Sequence, residues 1–95
     1  MIHGINDDIT TRYECAAEIL NTMIAINTSE LAKEEAKARP NKVRFSKLMT
    51  EGERLALERR KLDPEDRATI EHILKDYAAV VKEKLELAPI LATVK

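Results

Sequence analysis

One stripe of residues limits what this chain can become. Ile5, Ile9, Tyr13, Ala16, Leu20, Met23, Asn27 and Leu31 recur at steps of three and four, which is the repeat of a helix and not of a strand. Ile19, Ala25 and Ile26 lie outside that stripe, so the apolar surface is wider than a helix with one buried face needs. A helix of this kind is packed on more than one side. In 95 residues that means the centre of a bundle or a subunit interface, and both are expected here. Ile19, Met23 and Ile26 are the expected interface residues of a homodimer.

The rest of the chain agrees with an all-α fold. It has two glycines, three prolines and only Tyr13, Phe45 and Tyr77 as aromatics, whereas a sandwich or barrel needs turn residues at short spacing. The length suits a single domain over 1–95. The spacing predicts a three-helix bundle, or a helical hairpin, whose first and third helices are long. The helices are expected at about 7–38, 46–61 and 64–87, with 89–95 as a loose tail. Asn27 and Glu30 read as a capping box and predict a break near 27–29, although a polar patch within one continuous helix has the same pattern. Arg39 before Pro40 marks the end of the first helix, residues 40–45 form the connector, and Ser46 is the expected cap of the second. Leu48, Met49, Leu55 and Leu62 are its expected core contacts, with Gly52 marking close packing or a kink. Asp63 followed by Pro64 predicts the cap and first position of the third helix.

Charge is divided unevenly. The formal net charge of -1 is made of -5 in residues 1–36, +6 in residues 37–61 and -2 in residues 62–95. Two arrangements satisfy this layout. The basic segment can face the acidic first helix, within the fold or across a dimer. Alternatively, it can form a surface that meets an acidic protein or phosphates. On the second reading Arg39, Lys42, Arg44, Phe45 and Lys47 are the expected partner-binding residues. The function expected is that of a small helical protein-binding regulator or inhibitor, of the antitoxin or phage and plasmid accessory type, which occupies a macromolecular partner. Nucleic-acid binding through 37–61 is the alternative.

The sequence offers no catalytic constellation, and no enzyme, metal site or cofactor is expected. Cys15 is the lone cysteine, which excludes an internal disulfide, suits a reducing compartment and reads as a small core residue. His3 precedes the first helix and His72 lies one position off an apolar face. Glu14 and Glu18, and the cluster Glu30, Glu34 and Glu35, face either the basic second helix or Glu71 and Asp76 on the third; no clean four-carboxylate set results, and they read as solvated surface. No apolar run reaches the roughly 18 residues that cross a bilayer, and residues 1–8 have no signal-peptide pattern. A cytoplasmic protein with no membrane contact is expected.

The order of a long, a shorter and a second long helix resembles the helical chorismate mutases. That resemblance implies an intertwined dimeric enzyme binding a dicarboxylate through arginines and a lysine on the first two helices, and it is the second alternative. Arg12, Lys33 and Arg54 are the residues this chain offers. It departs from the family at Leu55, where an acid follows the second-helix arginine, and at Leu85, Leu87 and Leu91, where a polar residue belongs. Ser46, Thr50, Glu51 and Gly52 come near the Ser/Thr-x-x-x-Glu-Gly helix of antitoxins that inhibit Fic-type enzymes, but the Ser-to-Glu spacing is one residue too long.

Overall fold

The computed structural model describes the backbone of residues 4–93 and the side chains of residues 8–85. Its regular structure over that range is entirely helical. Helix α1 spans Gly4–Glu35, α2 spans Lys42–Lys61, α3 spans Arg67–His72 and α4 spans Ala78–Thr93. A π-helical turn, Ile73–Tyr77, joins α3 to α4 without leaving helical dihedrals, and its register is fixed by the Ala78 N–H donating to the Ile73 carbonyl. The two helices and this turn therefore form one third rod.

α1 is the centre of the bundle. It packs against α2 on one side and the third rod on the other, while the backbones of α2 and the third rod do not meet. This accounts for its wide apolar arc. The core holds Ala16, Ala17 and Leu20 from α1, Leu55 and Leu62 from the α2 side, and Ile70 and Ile73 from the third rod. The two alanines let neighbouring helices approach closely, and Leu20, Leu55 and Ile73 are the large side chains sealed between them.

Several boundaries differ from expectation, each for a local reason. α1 runs unbroken through 27–29. Asn27 is buried and its Nδ2 donates to the Leu48 carbonyl of α2 at 2.9 Å, so it joins two helices and caps neither. α1 ends at Glu35 and not 38, closed by a bond from the Lys37 N–H to the Glu34 carbonyl. α2 begins at Lys42 and not 46, because Asn41 Oδ1 accepts the Arg44 N–H at 3.0 Å and caps the helix in place of Ser46. Ser46 lies within it, and most of the expected connector is helix.

At the third rod, Asp63 and Pro64 form a turn and not the helix start. Asp63 Oδ1 accepts the Glu65 N–H and its carbonyl accepts the Asp66 N–H. Asp66 takes the cap, accepting from both the N–H and the hydroxyl of Thr69. The rod then continues past 87 and through Pro89 to Thr93, replacing the expected tail over 89–93. A helical proline forfeits one backbone bond. Residues 94–95 of that tail lie outside the described range, as does His3.

Of the contacts expected from α2, Leu55 and Leu62 are buried and Leu48 is half-buried, while Met49, about 100° further round the helix, faces solvent. Cys15 is exposed and not in the core; Ala16 and Ala17, the next two residues, take the buried positions. Gly52 answers to close packing, since a Cβ there would stand 2.5 Å from Asn27 Oδ1.

Candidate binding surface

The end of the bundle where α1 turns into α2 is organised by one carboxylate. Glu34 is only 1% exposed, although it lies in an acidic run at the end of a helix. Its Oε1 accepts from Lys37 Nζ at 2.8 Å and from Arg44 Nε at 3.1 Å, and its Oε2 accepts from the Asn41 backbone N–H at 2.7 Å. These donors favour the charged form. The Lys37 bond foremost, then the Asn41 N–H, holds the Glu34 carboxyl below its ordinary value of 4.5. A buried charge is tolerated when it is paired and hydrogen-bonded in this way. Glu34 thereby ties the turn and the first turn of α2 to the end of α1.

This latch divides the five residues expected to bind a partner. Arg44 is partly an internal residue, half-exposed and paired with Glu34. Arg39, Lys42 and Lys47 are exposed, and no ion pair engages them among the described residues. Phe45 is half-buried and, with Glu35, Pro40 and Lys42, lines a hollow of about 230 Å³. The basic segment is thus neutralised in part. Lys37 and Arg44 answer Glu34, and Arg54 is held by Glu51 and Glu58 of its own helix.

A second feature lies between α2 and α4. A groove of about 320 Å³ has Met23, Ile26 and Leu48 among its lining and is edged by Glu30, Glu51, Arg44 and Lys84. Lys84 Nζ reaches Glu30 at 3.4 Å across it. Two of the three expected interface residues, Met23 and Ile26, line this groove, whereas Ile19 packs against the core.

On the other side of α2, a polar cluster meets the π-helical turn. Tyr77 Oη donates to Glu58 Oε1 at 2.9 Å and accepts from Arg54 at 3.0 Å. The Arg54 guanidinium also stands 5.9 Å from the Tyr77 ring centroid, within cation–π range. Burial, then the Glu58 carboxylate, pushes the Tyr77 hydroxyl above its ordinary 10.0, with Arg54 opposing. His72 stacks edge-on against Tyr77 and pairs with Asp76 one turn along, at 2.8 Å.

Arg12 and Arg54, the arginines that the chorismate mutase resemblance assigns to a dicarboxylate, are each held by carboxylates of this chain, Arg12 by Glu71 and Arg54 by Glu51 and Glu58. No three His, Cys, Asp or Glu side chains converge into a metal-binding group among the described residues. No helix among them is long and apolar enough to cross a membrane. No protein-family model, curated protein or solved structure matches the chain.

Glu34 and Asn27 hold roles other than the solvated acid and the helix cap expected of them, and the Tyr77 cluster has no counterpart in the expected site residues. Glu34 was legible as one acid among three, and its difference is that the turn folds back over it. The signal for Asn27 was its place in the apolar stripe, opposite the only glycine of α2.

Proposed function

We propose that this chain is a small regulator or inhibitor that works in the cytoplasm by occupying a protein partner, as a homodimer. Its binding surface is the α1–α2 turn. The observation that supports this reading is the exposure of Arg39, Lys42 and Lys47, free of ion pairs among the described residues, on the turn and first helical turns that also carry the hollow lined by Glu35, Pro40, Lys42 and Phe45. Cations without an internal role cost nothing to the fold when a partner desolvates them, and a half-buried aromatic beside them supplies an anchor of the sort that dominates interface energetics. The partner is an acidic protein surface with an apolar centre.

The test compares capture by the immobilised wild-type chain with capture by Lys42→Glu/Lys47→Glu. Neither lysine serves the Glu34 latch, so helical circular dichroism stays unchanged. A protein bound by the wild type and lost by the variant supports the reading; equal capture refutes it. Capture of nucleic acid, with affinity falling steeply as salt rises, would move the function to the nucleic-acid alternative.

A further inference from the structure

We propose that the solvent face of α2 takes an acidic amphipathic helix of the protein partner, laid along α2 from the α1–α2 turn to its far end. This rests on the reading of an acidic protein partner given above and names the form in which that partner is met.

Of the five large apolar side chains left exposed among the described residues, three belong to α2: Val43, Met49 and Leu57. Val43 and Leu57, 66% and 41% exposed, form one row with Thr50 between them at seven-residue spacing. The row keeps its line because a straight helix drifts only about 20° over seven residues. Thr50 stands five residues from the buried Leu55, about 140° round the helix, so the row points away from the core. Beside it runs a basic row. Lys47, Arg54 and Lys61 each follow a member of the first row by four residues, the spacing of neighbours on a helix. Arg54 is held by Glu51 and Glu58, whereas Lys47 and Lys61 are exposed and no ion pair engages them among the described residues. Lys42 and Arg60, on the opposite flank, are in the same condition. Against these four cations α2 keeps one acid without an ion pair among the described residues, Glu53.

Charge sets the sign of the occupant and spacing sets its form. An apolar row bordered by uncompensated positive charge is complemented by an apolar row bordered by negative charge. Seven residues advance α2 by about 10.5 Å, whereas residues on one side of an extended segment recur about every 6.8 Å and fall out of step with the row. A second helix repeats at the same interval, as paired helices do. The row from Val43 to Leu57 is about 21 Å long, room for about four turns of a partner helix. A nucleic-acid backbone would satisfy the cations but set phosphates against Val43 and Leu57, which a helix covers with apolar side chains. At the turn end, Val43, Lys47 and Leu48 help to line a hollow of about 470 Å³, a seat for the first of those side chains.

The probe is a synthetic peptide of about 21 residues, with leucine at the first and fourth place of each seven and glutamate beside them. Its binding to the purified full chain is read by fluorescence anisotropy. The variant Leu57→Ala/Lys61→Glu changes α2 at the end far from the turn and is expected to weaken the peptide about tenfold or more. Both positions are exposed, and circular dichroism checks that the variant is folded. The same peptide with lysine for each glutamate, or with a proline at its centre, is expected not to bind. An acidic peptide that fails to bind, one that binds wild type and variant alike, or a proline peptide that binds equally overturns the proposal. So does binding of phosphatidylglycerol vesicles or of a DNA duplex that the variant abolishes while the peptide stays unbound. The turn reading fails or stands separately: if Lys42→Glu/Lys47→Glu loses the captured protein while Leu57→Ala/Lys61→Glu leaves peptide binding unchanged, the turn is kept and the helix along α2 is not.

Discussion

Asn27 and Gly52 face each other across the α1–α2 contact so closely that neither can be changed alone without consequence. Asn27 Nδ2 donates to the Leu48 carbonyl at 2.9 Å, and its Oδ1 fills the space a Cβ at 52 would enter. Alanine at an open helical site gains about 1 kcal/mol over glycine. Here Gly52→Ala forces Asn27 off its hydrogen bond or the helices apart, and overpacking of that kind costs about 1–3 kcal/mol. We expect Gly52→Ala to lower stability in the wild type and to raise it in an Asn27→Ala background. Urea denaturation of the four chains of this cycle measures the change of sign, and additive effects would show that the contact is not as described.

Glu34 makes stability depend on acid. A carboxyl whose folded value lies below its unfolded 4.5 contributes stability that is fully present above 4.5 and is lost as pH falls through the folded value. We expect the midpoint of thermal unfolding to drop in that acid range. Glu34→Gln should lower the midpoint at neutral pH and make it less sensitive between pH 4.5 and the acid limit. A variant with the wild-type acid profile would mean that other carboxylates carry it.

Burial ranks the apolar positions. Leu20 and Leu55 are 0% and 1% exposed, whereas Met49, from the same expected contact set, is 43% exposed. Truncating either leucine to alanine is expected to cost about 2–5 kcal/mol, a large share of the stability of a small domain. Met49→Ala should stay within about 0.5 kcal/mol of the wild type, as surface changes do. Chemical denaturation distinguishes the two classes directly.

Tyr77 reports on its own cluster. Its hydroxyl ionises above 10.0, in part through Glu58. Glu58→Gln should move that ionisation down, read by ultraviolet titration with a Tyr77→Phe chain as the blank that isolates the band. No movement would mean that Glu58 has no part in the Tyr77 value, which burial and Arg54 then set.

The helical class and the central place of α1 were legible because they follow from spacing alone. A stripe wider than one face has to touch two neighbours, and it does. Helix ends were not legible to the same degree, because capping residues compete. Ser46 and Asn41 are both good caps for α2, as are Asp63 and Asp66 for α3. The choice falls on Asn41 because Glu34 holds its N–H from a helix away, and on Asp66 because Asp63 is spent on the preceding turn. The charge blocks were legible as a sum and not as pairs. Nothing local distinguishes Arg44, turned toward Glu34, from Lys47, turned outward. Cys15 shows the same limit, since a small residue beside an apolar stripe reads as core until the helix phase is known.

The position of α1 also sets how the molecule comes apart. α2 and the third rod share no backbone contact and each lean on α1, joined to one another only by side chains, those around Tyr77 and those of the common core. Loss of one flank therefore uncovers core side chains of the other while leaving its backbone contact with α1 in place. Amide hydrogen exchange, which resolves such partial openings, would then register the spine as the element that opens last.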